Sequence, residues 1–303
     1  MLDACEESHL FVGKAAFRIA GVVAPPLAGK AAYYLFCLPP RITAGDPARA
    51  RLTEKLGPLR NDALPFRIAN PDATIQAYLW RTTKAPARGR VLLVHGWTAE
   101  ALIMGLFVKP LRDAGFDVVA LDLPAHGTST GRLLNMPIGA RAVLAVADRL
   151  GAFTGIVTHS FGGPISALAI EGGSPIGRKI DVDKLVLISS PHSIAKTARD
   201  FGDGFAFSDD LQQRLGAEVT RAAGRRIEAI KIGDMLATAG KPALIIHDTE
   251  DDRVPFTEAE AIVASAGGHA TLMQTTGLGH ERIVIMPSIV RAAVRFLAGE
   301  SAR

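Results

Sequence analysis

The sequence predicts an α/β protein: a doubly wound, mostly parallel sheet with a small helical lid and an N-terminal helical extension. Three observations predict it. From about residue 64 onward, short apolar runs alternate with helical stretches. Several of these runs, such as Val91-Leu92-Leu93-Val94 and Leu185-Val186-Leu187-Ile188, are continuously apolar, as in strands covered on both faces. Finally, Thr158-His159-Ser160-Phe161-Gly162-Gly163 lies between one such run and an apolar helical stretch, in the form of a sharp small-x-Ser-x-Gly turn. The organisation that follows is an extension over 1–62, a core over 63–190 and 241–303, and a helical lid insertion over 191–240.

The extension comes first. Residues 10–38 are rich in Ala, Val, Leu, Ile and aromatics, but Lys14, Arg18 and Lys30 interrupt them and Pro25-Pro26 would break a single helix. That is too broken for the roughly twenty apolar residues of a membrane span. A secretory leader normally begins with a basic region, whereas this chain begins with Asp3, Glu6 and Glu7. Two short helices, over 8–22 and 25–37, are predicted instead, and a third over 46–57 that stops at Gly57-Pro58. The first two have two readings. They pack on the body, or residues 8–38 make peripheral contact with a membrane, their cations facing lipid headgroups.

Charge supports the same division. Residues 1–90 hold 13 Lys/Arg against 7 Asp/Glu, so the excess of basic residues belongs to the N-terminal part and the rest is near neutral. No basic cluster is interleaved with aromatics, so no nucleic-acid partner is expected. Cys5 and Cys37, the only two cysteines, read as unpaired thiols in a reducing compartment. With the missing leader they point to a cytoplasmic protein, membrane-associated if the second reading of the extension holds.

The core elements follow in order. Strands are predicted over 65–68 and 73–80, joined by the turn Asn70-Pro71-Asp72, as an antiparallel edge. Then come strand 90–95, a helical stretch over 106–114, strand 117–122, a helix over 137–150, and the run 155–157 before the Ser160 turn. A helix begins at Pro164, and strands over 184–189, 242–247 and 270–274 and a last helix over 287–298 complete the set. About fifty residues between the strands at 184–189 and 242–247 are too long to be structureless. There Phe201-Gly202-Asp203-Gly204-Phe205 reads as a loop and 208–224 as a helix. Phe201, Phe205 and Phe207 either line an apolar pocket or form the lid's own core.

A serine hydroxyl is a poor nucleophile at neutral pH and needs a base, itself oriented by a third group. In folds of this kind the chain order is serine, acid, histidine. After strand 242–247 comes Asp248-Thr249-Glu250-Asp251-Asp252-Arg253-Val254-Pro255, and after strand 270–274 comes Thr276-Gly277-Leu278-Gly279-His280. With Val94-His95-Gly96-Trp97 and Asp122-Leu123-Pro124-Ala125-His126-Gly127-Thr128-Ser129, these motifs span about 90–280 and resemble the α/β-hydrolase superfamily, in its serine esterase/lipase-like branch.

The resemblance implies the α/β-hydrolase fold, with Ser160 as nucleophile, His280 as base and Asp251 as acid, Asp252 and Asp248 remaining as alternatives. It implies an oxyanion hole from the backbone amides of Trp97 and Phe161, and places the Trp97 ring on the wall of the substrate pocket. It departs from the family at Thr158, where a glycine is usual and a β-branched side chain should crowd the turn. His95 and His126 read as loop stabilisers and His247 as structural. The side chain of His159 should be aimed away from the serine, and nothing demands His192 at the site. No histidine or cysteine grouping has zinc-ligand spacing, so neither metal nor cofactor is expected.

The resemblance thus implies a carboxylesterase acting on a small-molecule ester, and the composition of the lid points to an apolar acyl part. A serine nucleophile argues against haloalkane dehalogenases and epoxide hydrolases, which use an aspartate there. Thioesterase, amidase, lactonase, perhydrolase and membrane-lipid lipase activities share the triad. A binding protein that keeps the fold without turnover is the rival of another class. The oligomeric state is not legible.

Overall fold

The computed structural model describes residues 17, 19–40, 54 and 56–300. Cys5, most of the helix expected over 8–22 and most of that over 46–57 lie outside the described residues. The chain divides into two compact units, one of the residues up to Leu38 with Ser193–Lys231, the other of Pro39–His192 with Ile232–Arg303.

The larger unit is built on one eight-stranded sheet. Its strands are β1 (Leu64–Ala69), β2 (Thr74–Trp80), β3 (Arg90–Val94), β4 (Asp117–Leu121), β5 (Phe153–His159), β6 (Val182–Ile188), β7 (Ala243–Asp248) and β8 (Ala270–Thr275). They lie in the order β1-β2-β4-β3-β5-β6-β7-β8. β1 and β2 are antiparallel to each other, β2 is antiparallel to β4, and the other neighbours are parallel.

The continuously apolar runs bury both faces of the sheet, as parallel strands with helices on each side require. On one face Val91, Leu93, Val118, Ala120, Val157, Val186 and Ile246 meet Leu102, Phe107 and Leu111 and the helix Pro287–Ala298. Helices Met136–Leu150 and Gly162–Glu171 pack on each other, and the second also packs on Ile232–Ala239. The chain is cut into these lengths by ordinary signals. Asn135 caps the 136–150 helix by accepting from the Ile138 amide at 2.8 Å, and Gly151 ends it at φ 87°.

One boundary differs from expectation. The backbone is helical over 56–61, past Gly57-Pro58, which were expected to stop it. Leu56 is buried there, and the Trp80 indole donates to the Leu59 carbonyl at 2.8 Å, so side-chain anchoring outweighs the breaker pair.

The smaller unit is helical: Pro25–Phe36, Ile194–Gly204 and Asp209–Ala223, with a short 3-10 turn at Ile227–Ala229. The stretch 201–205, expected as a loop, is helical through Gly204. Ser193 caps that helix, and the Gln212 amide donates to the Arg199 carbonyl at 3.1 Å and to Asp203 at 2.8 Å. These contacts hold the helix despite the low helical propensity of its two glycines. Cys37 is a buried free thiol, pushed up to about 11 by burial against the opposing effect of a hydrogen bond with Tyr33. Among the described residues, no helix is long and apolar enough to cross a membrane.

Candidate active site

β5 ends at His159, and the chain turns at once into the helix that starts at Gly162. Ser160 occupies the turn with φ 50°, a left-handed conformation that a serine adopts only where its surroundings impose it. Its amide donates to the Ile188 carbonyl at 2.9 Å, and its own carbonyl accepts from Gly163 at 2.9 Å. The turn is tight on the side of the following glycines. A Cβ on Gly162 would lie 2.5 Å from the Val94 carbonyl oxygen, and one on Gly163 would lie 2.2 Å from the Ser190 hydroxyl. Thr158, by contrast, is fully buried on β5 and its hydroxyl donates to the Val186 carbonyl at 3.3 Å. The larger side chain therefore has a partner on β6, and the closest approaches of the turn fall elsewhere.

Three side chains meet in line at this turn. Ser160 Oγ is 3.0 Å from His280 Nε2. His280 Nδ1 is 2.8 Å from Asp251 Oδ2 and 3.1 Å from Oδ1. Asp251 Oδ1 also accepts from the Val254 amide at 2.8 Å and the Arg253 amide at 3.0 Å. Burial would raise the Asp251 carboxyl, but the His280 hydrogen bond and charge and the two amides outweigh it and lower it to about 2. The side chain is ionised at neutral pH.

The neighbouring carboxylates do other things. Asp248 is fully buried and saturated: it accepts from the Glu250 amide at 3.0 Å, the Thr275 hydroxyl at 2.7 Å and the Leu278 amide at 3.0 Å. It thereby holds the turn that carries His280. Burial works against its ionised form, yet the Thr275 hydroxyl and the amides of Gly279, Leu278 and Glu250 keep it below the usual carboxylate range. Asp252 is exposed.

The loop after β3 runs against the serine. A Cβ on Gly96 would lie 2.8 Å from Ser160 Cβ, so only glycine lets the 95–98 backbone pass there. Among the described residues, the amides of Trp97 and Phe161 donate to no acceptor in the turns and loops. Their rings meet edge to face at 5.6 Å. His95 and His126 brace this loop. His95 Nδ1 donates to the Gly96 carbonyl at 2.7 Å while its Nε2 accepts from the Leu123 amide at 2.9 Å. His126 Nδ1 donates to the Pro124 carbonyl at 2.9 Å and its Nε2 accepts from the Thr98 amide at 3.2 Å.

Two histidines lie closer to this centre than the sequence suggests. His159 bears on His280 rather than on the serine: its Nε2 donates to the backbone carbonyl of His280 at 2.9 Å, and the two rings lie 5.0 Å apart. Burial, and then the like charge of His280, lower it to about 4, so it is neutral at physiological pH. His247 Nε2 donates to the Val254 carbonyl at 2.8 Å and lies 3.5 Å from Asp251 Oδ2. Burial lowers its pKa as well. Spacing gives no hint of the His159 contact, which joins residues 121 positions apart, whereas His247 meets residues of the loop that directly follows its own strand. His192 is engaged elsewhere, its backbone amide donating to Glu258 at 2.8 Å and its Nδ1 accepting from the Gly233 amide at 3.4 Å.

Phe201, Phe205 and Phe207 belong to the helical unit, where they form an aromatic cluster. Phe201 and Phe205 lie 5.0 Å apart, Phe207 lies 4.8 Å from Phe17, and Phe201 lies 5.2 Å from Phe36.

Comparison with known proteins gives a consistent family. A family model described as the alpha/beta hydrolase family matches residues 91–293. The chain is 26% identical over 223 residues to the dihydrolipoyllysine-residue acetyltransferase component of an acetoin cleaving system from Cupriavidus necator. The match takes in 61% of this chain and 59% of that protein, so the chain spans less than two thirds of that relative's length. Among solved structures, a membrane phospholipase A described as a bacterial virulence factor is similar at a TM-score of 0.59 and 18% identity, covering 83% of this chain and 91% of that one. Est1E from Butyrivibrio proteoclasticus, with ferulic acid bound, is similar at 0.59 and 19%, covering 77% and 96%. Est816, an N-acyl homoserine lactone degrading enzyme, is similar at 0.57 and 17%, covering 76% and 99%. At such identities these three likenesses are of fold.

Proposed function

Since the chain belongs to the alpha/beta hydrolase family, we propose that it is a serine hydrolase that cleaves a carboxylic ester through an acyl-enzyme intermediate. The observation that carries this reading is the unbroken line from Ser160 Oγ to His280 Nε2 at 3.0 Å and from His280 Nδ1 to Asp251 at 2.8 Å. A base in reach of the hydroxyl, itself oriented by an ionised carboxylate, is what an unreactive serine requires.

In this mechanism Ser160 Oγ attacks the acyl carbon while His280 Nε2 takes its proton. The acyl carbonyl oxygen becomes an oxyanion facing the amides of Trp97 and Phe161, and two preorganised donors of this kind are worth about 3 kcal/mol each. His280 then protonates the departing alcohol. A water, deprotonated by the same imidazole, attacks the acyl-enzyme and returns the serine and the carboxylic acid. Asp251 keeps its charge throughout. It holds Nδ1–H in place and stabilises the imidazolium that forms at each step.

The Trp97 and Phe161 rings, edge to face beside these amides, give the acyl side an apolar wall. The insertion follows β6, at the carboxyl end of a strand, where open α/β sheets take ligands. Its reading as a lid belongs to the same proposal, and the mutual stacking of Phe201, Phe205 and Phe207 favours the lid's own core over a pocket lining. The same line of groups serves a lactone equally well.

Labelling with a fluorophosphonate probe tests the nucleophile. The wild type is expected to take up the probe and Ser160→Ala to take up none while melting at the same temperature. Equal labelling of both, or none in folded wild type, would overturn the mechanism. A panel of activated esters and lactones of increasing acyl length then ranks substrates.

A further inference from the structure

The helix Pro25–Phe36 is built inside out for a surface in water. The residues it buries are small: Ala28, Gly29 and Ala32. They let it lie closely on the helix Asp209–Ala223, since a Cβ on Gly29 would come within 2.7 Å of Arg214 Cβ. Several bulky apolar side chains point the other way, while Phe36 packs on Phe201. Leu27 is 66% exposed, and on the preceding turns Ile19 is 66%, Val22 81% and Val23 77% exposed. Tyr34 and Leu38 continue the stripe. Of the seven large hydrophobic residues exposed among the described ones, six lie between Ile19 and Leu38, with Leu64 the seventh. Single exposed apolar residues are ordinary, but a concentration of this kind marks a surface with a partner.

Charge identifies the partner. From Ser8 to Gly45 the sequence holds Lys14, Arg18, Lys30 and Arg41 and not one acidic residue. Lys30 is exposed within the stripe, at helical spacing between Leu27 and Tyr34. Lys30 is the described charge of the stripe, and Asp210, which lines a cavity with Val22, is paired with Arg214 at 2.6 Å. An apolar stripe that carries a free cation and no acid of its own is complementary to a surface that is apolar beneath and negative on top. A second copy of the chain meeting the same stripe would instead bring two Lys30 side chains into one contact. Neither the described helices nor their lengths allow a span, so the contact lies in the plane of the interface.

We propose that the outward face of residues Ile19–Leu38 binds the surface of an anionic phospholipid bilayer. The side chains of Val22, Val23 and Leu27 enter the acyl boundary, and Lys30 stays at the level of the lipid phosphates. This contact is independent of the chemistry at Ser160.

Co-sedimentation of the full chain with vesicles tests it, using phosphatidylcholine alone and phosphatidylcholine mixed with phosphatidylglycerol in equal parts. The wild type is expected to sediment with the anionic vesicles, less as salt is raised, and weakly with the neutral ones. The triple variant Val22→Ser, Val23→Ser, Leu27→Ser is expected to lose roughly tenfold or more of that binding, and Lys30→Glu severalfold. These side chains are exposed, and thermal melting followed by circular dichroism verifies the fold of each variant. Should the triple variant not fold, Lys30→Glu and the salt series still decide. Wild type remaining in the supernatant, equal binding to both vesicle types, or variants that sediment like wild type would overturn the proposal. So would light scattering that shows a dimer broken by the triple variant, with no vesicle binding.

Discussion

The loops that follow β4 and β7 both turn around buried aspartates, and the comparison shows how one residue type serves two ends. After β4, Asp122 accepts from the Ala101 amide at 2.9 Å, the Thr128 amide at 2.9 Å and the Thr128 hydroxyl at 3.1 Å. It thereby ties the loop after β4 to the 3-10 turn that begins at Ala101. After β7 the task is divided. Asp248 is saturated in the same manner by Glu250, Thr275 and Leu278. Asp251, three residues on, gives one oxygen to two amides and keeps the other for an imidazole. A carboxylate is a frame when its lone pairs are filled locally and is free for chemistry when a second carboxylate has taken over the framing.

Substitution can break that division. Asp251→Asn is expected to have the largest effect, a loss of roughly a thousandfold or more in ester turnover at neutral pH, because the amide no longer fixes the imidazole tautomer. Melting should change little beside this. If turnover falls less than tenfold, the acid is another residue. Asp248→Ala and Asp122→Ala should show the opposite balance. Each leaves several buried donors without an acceptor, at a cost of about 2–4 kcal/mol in unfolding free energy, read by urea denaturation. Residual turnover per folded molecule should stay far above that of the Asp251 variant.

The smallest effect concerns His159. Folding lowers it from 6.5 to about 4, so its neutral ring contributes stability in full above pH 6.5. That contribution is lost as pH falls from 6.5 towards 4, because the unfolded chain binds the proton first. Melting temperature should therefore decline over this window in the wild type and less steeply in His159→Gln, whose amide can still donate to the His280 carbonyl. An unchanged slope would assign the acid sensitivity to His247, which is lowered in the same direction.

The strands were legible because covered strands are written as unbroken apolar runs, and β3, β4 and β6 to β8 fall within about two residues of where those runs lie. What the reading lost depends on contacts between distant segments. Gly202 and Gly204 read as a loop, since the amide of Gln212 that binds Arg199 and Asp203 has no signature at positions 199–204. Local spacing in Asp248-Thr249-Glu250-Asp251-Asp252 does not tell which carboxylate faces His280, and only the family resemblance singles out Asp251. In the fold Thr275 of β8 and Leu278 just beyond it fill Asp248. The bearing of His159 on His280 is of the same kind, joining residues 121 positions apart.

At one end of the sheet lies β1, whose outer side has no neighbouring strand among the described residues. Such an edge is a template on which other chains can polymerise. Pro65 removes an amide from that ladder, and Arg67 adds a charge, its guanidinium tied to Gln76 of β2 at 3.1 Å. A chain with a 48% apolar composition built on one long sheet thus carries, on its sixty-fifth residue, a guard against fibre growth.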